Sequence, residues 1–495
     1  MSGKGSRIWL GVVFICLIFS SGIGAAKKPE YPQYLAGEYW KNQALNEIIP
    51  FWVSTRDEKG GGFFTDIQND GSVASNPNKY PRMNSRVIYG FCTAYLLGGD
   101  ERYLELARHG LEYLKNYGWD RQYGGWFTEL NVQNQPTAQT KDLFDQTYGN
   151  LGPIFYYYLT GDQTALNLVQ QSHRLLNEKA WDKAYDGYYA WVNADWSVTN
   201  TGKSFNSQID TATAYLIYYY LATRDSKLLA NLEAIGKVAV NHMFDPAAAC
   251  IRESYTRQWK PTRSYLGDRE QIDVGHNLKT AWVLLRTYQL TGDPKYLSCA
   301  RKIAARMLAT AWDAKYFGWY MSKNAKRAAK TDQERAKCWW TQTEGNFMLL
   351  NLYNVTGDKQ YLDYFTRNAY FWDHYMVDHR DKEVYGYTSQ QGKPIKGLKG
   401  NLYKSAYHSM ENALLNYLYL QLYVNRKPAT LYFNLSVATG GSRHYVKIVE
   451  DPGVVIQKVE LNQQDWKQFD AKAGYVVLPK GENMKLKVTF QKQKN

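Results

Sequence analysis

The chain predicts an all-α fold, an (α/α)6 barrel of six helical hairpins carrying a small C-terminal β module. Two sequence marks that recur in phase and a late change of patterning carry that prediction. The first mark is an Asp opening an aromatic- or glycine-rich loop, at Asp57, Asp120, Asp182, Asp245, Asp313 and Asp381, with steps of 63, 62, 63, 68 and 68 residues. The second is a Gly-Asp or Arg-Asp turn ahead of a Leu-rich run, at Asp100, Asp162, Asp225, Asp293 and Asp358, with steps of 62, 63, 68 and 65. Between the marks the apolar residues fall at helical spacing: Val87 to Leu97 reads as one helix, the turn at Asp100 stops it, and Tyr103 to Tyr117 resumes.

Each repeat is therefore a helical hairpin followed by a loop. Six helices begin after the loops, near Arg86, Tyr148, Asn206, His276, Trp340 and His408, and six partners follow the turns, the first of them near Leu35 to Val53. Closed into a ring, the post-loop helices line the inside, and their N-termini share one mouth with the loops. An open solenoid is the alternative, and the lack of a capping repeat favours closure. From Thr430 the helical period gives way to short alternating runs such as Leu431 to Val437 and Val454 to Leu461, the pattern of a small β-sheet. The division expected is a signal over 1–26, the barrel over 27–425 and the β module over 426–495.

The signal rests on Lys4 and Arg7, the apolar run Ile8 to Phe19 and the small residues Gly24-Ala25-Ala26. That run is too short to span a membrane, so a secreted or periplasmic protein without stable membrane insertion is expected. Of the remaining cysteines, Cys92 and Cys299 suit buried thiols, while a Cys250–Cys338 disulfide stays open as an alternative. No two cysteines stand at the short spacing of a zinc site, and no metal or cofactor is expected. The formal charge of +14 is spread along the chain, which reads as a basic solvated surface, and nothing resembles a nucleic-acid-binding module.

Of eight histidines, His276 and His408 stand at the starts of inner helices. The positive end of a helix dipole disfavours an imidazolium and holds a neutral ring ready to accept a proton. Around them stand Gly-Gly-Gly-Phe-Phe-Thr (60–65), Asn84-Ser-Arg86 with Tyr89 and Phe91, Gly275-His276-Asn277, Trp339-Trp340 with Gln342 and Glu344, and Tyr407-His408. In order and spacing this set resembles the N-acylglucosamine 2-epimerase family, which includes cellobiose and mannobiose 2-epimerases and mannose isomerases. The resemblance covers residues 35 to 425. It implies paired acid/base roles for His276 and His408, contact of Arg86 with sugar oxygens at C1 or C2, and a sugar site lined by Trp340 and Glu344; Glu344 is placed with the catalytic set, and Asn206, Asp210, Lys279, Tyr407 and Glu411 with the substrate-binding residues.

Removing the C2 proton of an open-chain aldose gives an enediolate; return on the other face gives the epimer, and return to C1 gives the ketose. Three departures from the family's pattern bear on that chemistry. The third inner helix carries Gln208 and Asp210 where histidines are common, and the positions three after each catalytic histidine are Lys279 and Glu411, with charges reversed. A swapped Lys279–Glu411 ion pair across the funnel would lower the proton affinity of His276 and raise that of His408.

Two other functions compete. Asp145, Asp210 and Glu344 all begin inner helices, and two carboxylates flanking a glycosidic bond would make a glycoside hydrolase. A non-catalytic carbohydrate-binding protein would keep the aromatic mouth, with Trp126, Trp191, Trp259 and Trp319 stacking on sugars. The basic loop Lys323 to Lys337, with Lys203, Arg263, Arg269, Lys279 and Lys404, suits an anionic, uronate-containing mono- or oligosaccharide.

Overall fold

A computed structural model describes residues 30–138 and 140–493. The expected signal over 1–26 and its Cys16 lie outside the described residues. Twelve long helices occur among the described residues: α1 (37–53), α2 (Pro81–Gly98), α3 (101–118), α4 (143–160, interrupted at Asn150), α5 (163–180), α6 (205–223), α7 (226–243), α8 (Val274–Thr291), α9 (Pro294–Ala311), α10 (Trp339–Thr356), α11 (360–376) and α12 (407–424).

The even-numbered helices form the inner ring, each packed on the next, and α12 returns to α2. The ring is closed, so the open solenoid is set aside. Composition explains which helix lies where. In α8 every residue from Val274 to Thr287 is buried, whereas α3 buries a stripe at Tyr103, Leu106, Ala107, Gly110, Leu111, Tyr113, Leu114 and Gly118. That i, i+3, i+4 stripe is what a helix with one wet face shows.

Both sequence marks have a mechanical meaning. In the turns, Gly99, Gly161, Gly292 and Gly357 end inner helices at positive φ, a conformation that costs glycine nothing, and Arg224 does so in the third repeat. The Asp that follows then accepts from the backbone at the start of the outer helix, as Asp100 does from Arg102 N and Asp293 from Lys295 N.

In the loops, the Asp side chain accepts backbone amides two or three residues on and pairs with a buried lysine. Lys79, Lys141, Lys203, Lys337 and Lys399, 21 to 24 residues beyond their partners, bind Asp57, Asp120, Asp182, Asp313 and Asp378. The degenerate fourth loop uses Arg252 on Asp245 instead. This corrects the sixth mark: the loop opens at Asp378, whose Oδ2 lies 2.8 Å from Lys399 Nζ, while Asp381 only faces the exposed Arg380. With Asp378 the last step becomes 65, equal to the last step of the turn series.

Five of the six loops are also clamped to their own inner helix by a carboxamide. Asn84, Gln146, Gln208, Asn277 and Gln342 accept the backbone N–H of Phe63, Trp126, Tyr188, Ile251 and Trp319 at 2.7–2.9 Å. Gln208 is thus a loop clamp in register with four others, and its departure from the family's histidine is met by a structural duty.

Helix α12 ends at Val424 and the first strand of the β module begins at Ala429. A four-stranded antiparallel sheet orders Ala429–Val437, Gly481–Lys492, Val454–Leu461 and Gln464–Trp466; a three-stranded one orders Ser442–Tyr445, Tyr475–Leu478 and Phe469–Asp470. The module docks on the C-terminal ends of inner helices. Phe433 meets Tyr158 edge-on at 5.4 Å, His444 Nε2 lies 2.8 Å from Tyr158 O, and Arg286 forms a buried ion pair with Glu450. One end of the barrel is stoppered, and the other is the mouth.

Cys92, Cys250, Cys299 and Cys338 are buried free thiols. The Cys250–Cys338 disulfide is not formed; the Cys250 sulfur instead accepts from Arg252 at 3.1 Å. Among the described residues no helix is long and apolar enough to cross a membrane.

Candidate active site

The repeat places the chemistry. Two residues beyond each clamp stand Arg86, Tyr148, Asp210, Lys279 and Glu344; Ser409, which holds the sixth loop through Glu383, puts Glu411 in the same register. One position in six helices therefore contributes a layer of charged and phenolic groups across the barrel.

Lys279 is its centre. Its ammonium lies 3.0 Å from Asp210 Oδ1, 3.3 Å from Glu344 Oε1 and 3.3 Å from the Tyr148 hydroxyl. Asp210 also accepts from Tyr148 at 3.1 Å and from Asn206 at 2.7 Å. Glu344 Oε2 accepts from Trp282, and Glu411 Oε1 accepts from Tyr407 at 3.0 Å and Tyr218 at 3.2 Å. Arg86 stacks on Tyr148, 3.7 Å from the ring centroid, and donates to Tyr403 O. The expected Lys279–Glu411 ion pair is absent among the described residues' salt bridges. Equivalent positions in adjacent repeats are nearest neighbours around a ring, so Lys279 of the fourth repeat meets Asp210 of the third and Glu344 of the fifth, and Glu411 lies one repeat too far.

Three residues before Lys279 and Glu411, and one before the holding residues Asn277 and Ser409, stand His276 and His408 with Trp340 between them at ring-centroid distances of 5.1 and 5.9 Å. His276 stacks on Phe205 at 3.7 Å. Its Nδ1 lies 2.5 Å from Glu253 Oε2, while Glu253 Oε1 accepts the amide of Asp273. His408 turns its Nδ1 toward Glu344 Oε1 at 3.4 Å and Glu411 Oε2 at 3.8 Å. In both rings Nδ1 is engaged inward, and Nε2 is left for the cavity.

The two imidazoles are tuned apart. Burial works against the imidazolium of His276, but Glu253 and Asp273 outweigh it and its pKa is raised. Burial, then Lys279, Arg86 and Lys404, drive His408 well below the ordinary value. This reverses the expectation that Lys279 would weaken His276 and Glu411 strengthen His408. The carboxylate that decides His276 is Glu253, and the charge of Lys279 is felt at His408. Burial resists the ammonium of Lys279, yet Asp210 and Glu344 hold its pKa well above the ordinary one. Burial and Glu344 push Glu411 up to about 8.

His276, His408, Lys279, Arg86 and Glu253 line one cavity of about 610 Å³, a size that takes a small sugar, and Glu344 and Glu411 lie behind its wall. Its wall carries Asp142, Asp210, Glu253 and Asp273 against Arg86 and Lys279, with Phe144, Trp339, Tyr387 and Tyr403 as flat faces. Among the lining side chains the carboxyls outnumber the fixed cations four to two. The lysines counted for a uronate are engaged elsewhere: Lys203 with Asp182, Lys337 with Asp313 and Lys404 with Glu383. Arg263 and Arg269 do not reach the cavity. Nor do the tryptophans expected at the mouth: Trp126 and Trp319 are buried core, Trp259 stacks on His242, and Trp191 lies outside the lining.

The carboxylates expected for a hydrolase are also committed. Asp145 is ion-paired with Arg82, and the Lys279 ammonium fills the space between Asp210 and Glu344 where a glycosidic carbon would sit. Glu344, His408 and Glu411 present ligand atoms within 4.8 Å of one another, the nearest approach to a metal-ligand set among the described residues. The ammonium of Lys279 beside Glu344 already supplies the cation there.

The site residues read from sequence, His276, His408, Glu344, Arg86, Asn206, Asp210, Lys279, Trp340, Tyr407 and Glu411, all gather at this end of the barrel around the same cavity and its floor. Sequence reasoning missed Glu253, Phe205 and Tyr148. The available signal was register: Glu253 stands two residues past Ile251 as the cavity-lining Ala190 stands two past Tyr188.

The family model for N-acylglucosamine 2-epimerase (GlcNAc 2-epimerase) matches residues 62–412. A cellobiose 2-epimerase of Eubacterium cellulosolvens is 22% identical over 389 residues, covering 74% of this chain and 94% of that protein. A D-mannose isomerase of Marinomonas mediterranea is 24% identical over 379 residues, covering 74% and 93%. The solved cellobiose 2-epimerase of Bacillus thermoamylovorans B4167 superposes with a TM-score of 0.70 at 21% identity, over 77% of this chain and 98% of that one.

Proposed function

The chain belongs to the N-acylglucosamine 2-epimerase family, and on that premise we propose that it is a sugar 2-epimerase or aldose–ketose isomerase acting on a neutral mono- or oligosaccharide. The observation that carries the reading is the pair His276 and His408, flanking Trp340 over one cavity with their proton affinities set in opposite directions.

His408, neutral at physiological pH, takes the C2 proton on Nε2; the C2–H bond breaks and its electron pair enters the enediolate. His276, whose proton affinity the adjacent Glu253 raises, is the acid that returns a proton from the other side. Arg86 and Lys279 line the cavity and supply the positive field for the developing oxyanion. No step requires an added cofactor. Export to the periplasm or medium belongs to the same proposal and rests on the residues of the 1–26 segment.

The test is incubation of the purified protein with a panel of neutral and uronate sugars in D2O, read by NMR. Deuterium at C2 together with new epimer or ketose signals from a neutral sugar is the expected result. Exchange confined to uronates would refute the neutral-substrate reading, and release of a cleaved sugar without C2 exchange would refute the isomerase.

A further inference from the structure

Behind His408, on the side away from the cavity, three buried polar atoms converge: Glu344 Oε1, which has the Lys279 ammonium at 3.3 Å on its other side, and His408 Nδ1 and Glu411 Oε2, which have no hydrogen-bond partner. Both carboxylates are wholly buried, and the other oxygen of each is held, Glu344 by Trp282 and Glu411 by Tyr407 and Tyr218. Two acidic oxygens and an imidazole nitrogen brought this close require protons between them.

Charge counting says how many. The ammonium of Lys279 is matched by Asp210, with Glu344 as its second contact. Arg86 is drawn away to Tyr403 O, and Lys404 is paired with Glu383. The tyrosines around Glu411, Tyr407, Tyr218 and Tyr89, stay neutral because burial raises them. Glu344 and Glu411 are thus adjacent buried carboxyls with a single cation, on the Glu344 side, and like charges so placed cannot both ionise.

We infer that Glu411 is a positioning residue for His408: with Glu344 it forms a carboxyl pair that shares one proton behind the imidazole, and the remaining negative charge fixes the tautomer with the proton on Nδ1 and the lone pair on Nε2. The nitrogen that carries the proton is set by the bond the other makes, so this pair leaves the cavity-facing nitrogen able to accept. When Nε2 gains the C2 proton, the ionised oxygen of the pair faces the new imidazolium and balances it, with no other proton entering or leaving. The reversed charge at position 411 then has a purpose. A basic residue there would face the imidazolium with a like charge, whereas the carboxyl pair faces it with one negative charge.

The inference rests on reading His408 as the C2 base, so its test has an arm that needs no sugar. Difference infrared titration of the whole protein, following the C=O stretch of protonated carboxyls, is expected to show a buried carboxyl that keeps its proton at neutral pH and loses it near pH 8. That band should vanish in Glu411→Gln and move to lower pH in Glu344→Gln, which keeps the test open should the first variant not fold. In kinetics with mannose in D2O, Glu411→Gln should lower kcat roughly tenfold or more with KM nearly unchanged, and Glu411→Asp should restore part of it. A wild-type protein without a protonated buried carboxyl at neutral pH overturns the inference, as does a kcat and pH profile unchanged in Glu411→Gln. Absence of turnover on any sugar would sink the proposed function while the infrared arm still decides this one.

Discussion

The His276 side and the His408 side of the funnel are built from equivalent positions of the same repeat, yet they reach opposite electrostatic ends. His276 touches a loop carboxylate that no other repeat supplies, and its proton affinity rises. His408 has its carboxyls at 3.4 and 3.8 Å, but burial and then the charges of Lys279, Arg86 and Lys404 outweigh them, so its affinity falls. A repeat architecture thus gives one scaffold position two opposite proton affinities by changing what surrounds it. Two groups with pKa values pushed apart are what a two-faced proton transfer uses.

The largest expected effect that would break this comparison is loss of a ring nitrogen. His408→Asn keeps the polar contact and removes the base, so kcat should fall by roughly 10² to 10⁴ with little change in sugar affinity. His276→Asn should fall comparably in net conversion, yet keep deuterium exchange into one epimer; equal loss of exchange in both variants would erase the assignment of base and acid. Next in size is Lys279→Met, which leaves Asp210 and Glu344 buried without their cation and should cost about 3–5 kcal/mol in urea denaturation. It should also raise the proton affinity of His408, seen as a shift of its imidazole NMR titration toward higher pH.

A smaller effect sharpens the other side. Glu253→Gln removes the charge that holds His276 protonated, so turnover at neutral pH should drop about tenfold for each pKa unit lost and recover as the pH is lowered. Recovery at higher pH instead would show that His276 acts as a neutral group. The smallest effect is on stability. His276, raised in the folded state, contributes stability that is present below the unfolded pKa of 6.5 and is lost as pH rises through its folded value. His408, depressed in the folded state, contributes stability present above 6.5 and lost as pH falls. Tm measured below pH 6 should therefore fall less, relative to neutral pH, in His408→Asn than in wild type, and fall more in His276→Asn.

The fold was legible because its periodic signals are local. A Gly-Asp turn and an Asp-led loop are each set by a few consecutive residues, and their phase yields the hairpins. Even there one mark slipped: Asp378 and Asp381 are three apart, and only the bond to Lys399 distinguishes them. The site was legible where identity follows register, as for His276, His408 and the layer from Arg86 to Glu411. It was not legible where partners come from another turn of the barrel. Nothing near Lys279 in sequence says that Asp210 and Glu344, 69 and 65 residues away, are closer than Glu411. Glu253 escaped for the same reason, since its loop lacks the aromatic pattern that makes the other loops stand out. The mouth tryptophans were misread because a loop position was equated with an exposed one, whereas the clamps fold Trp126 and Trp319 into the wall.

The stopper formed by the β module turns the barrel into a blind alley. Phe433, His444 and Glu450 occupy the end through which a saccharide would otherwise thread. Under the proposed function, a saccharide longer than the cavity would have to enter by its C1–C2 terminus and back out along the same path, so only the end of such a chain would be within reach of the two histidines.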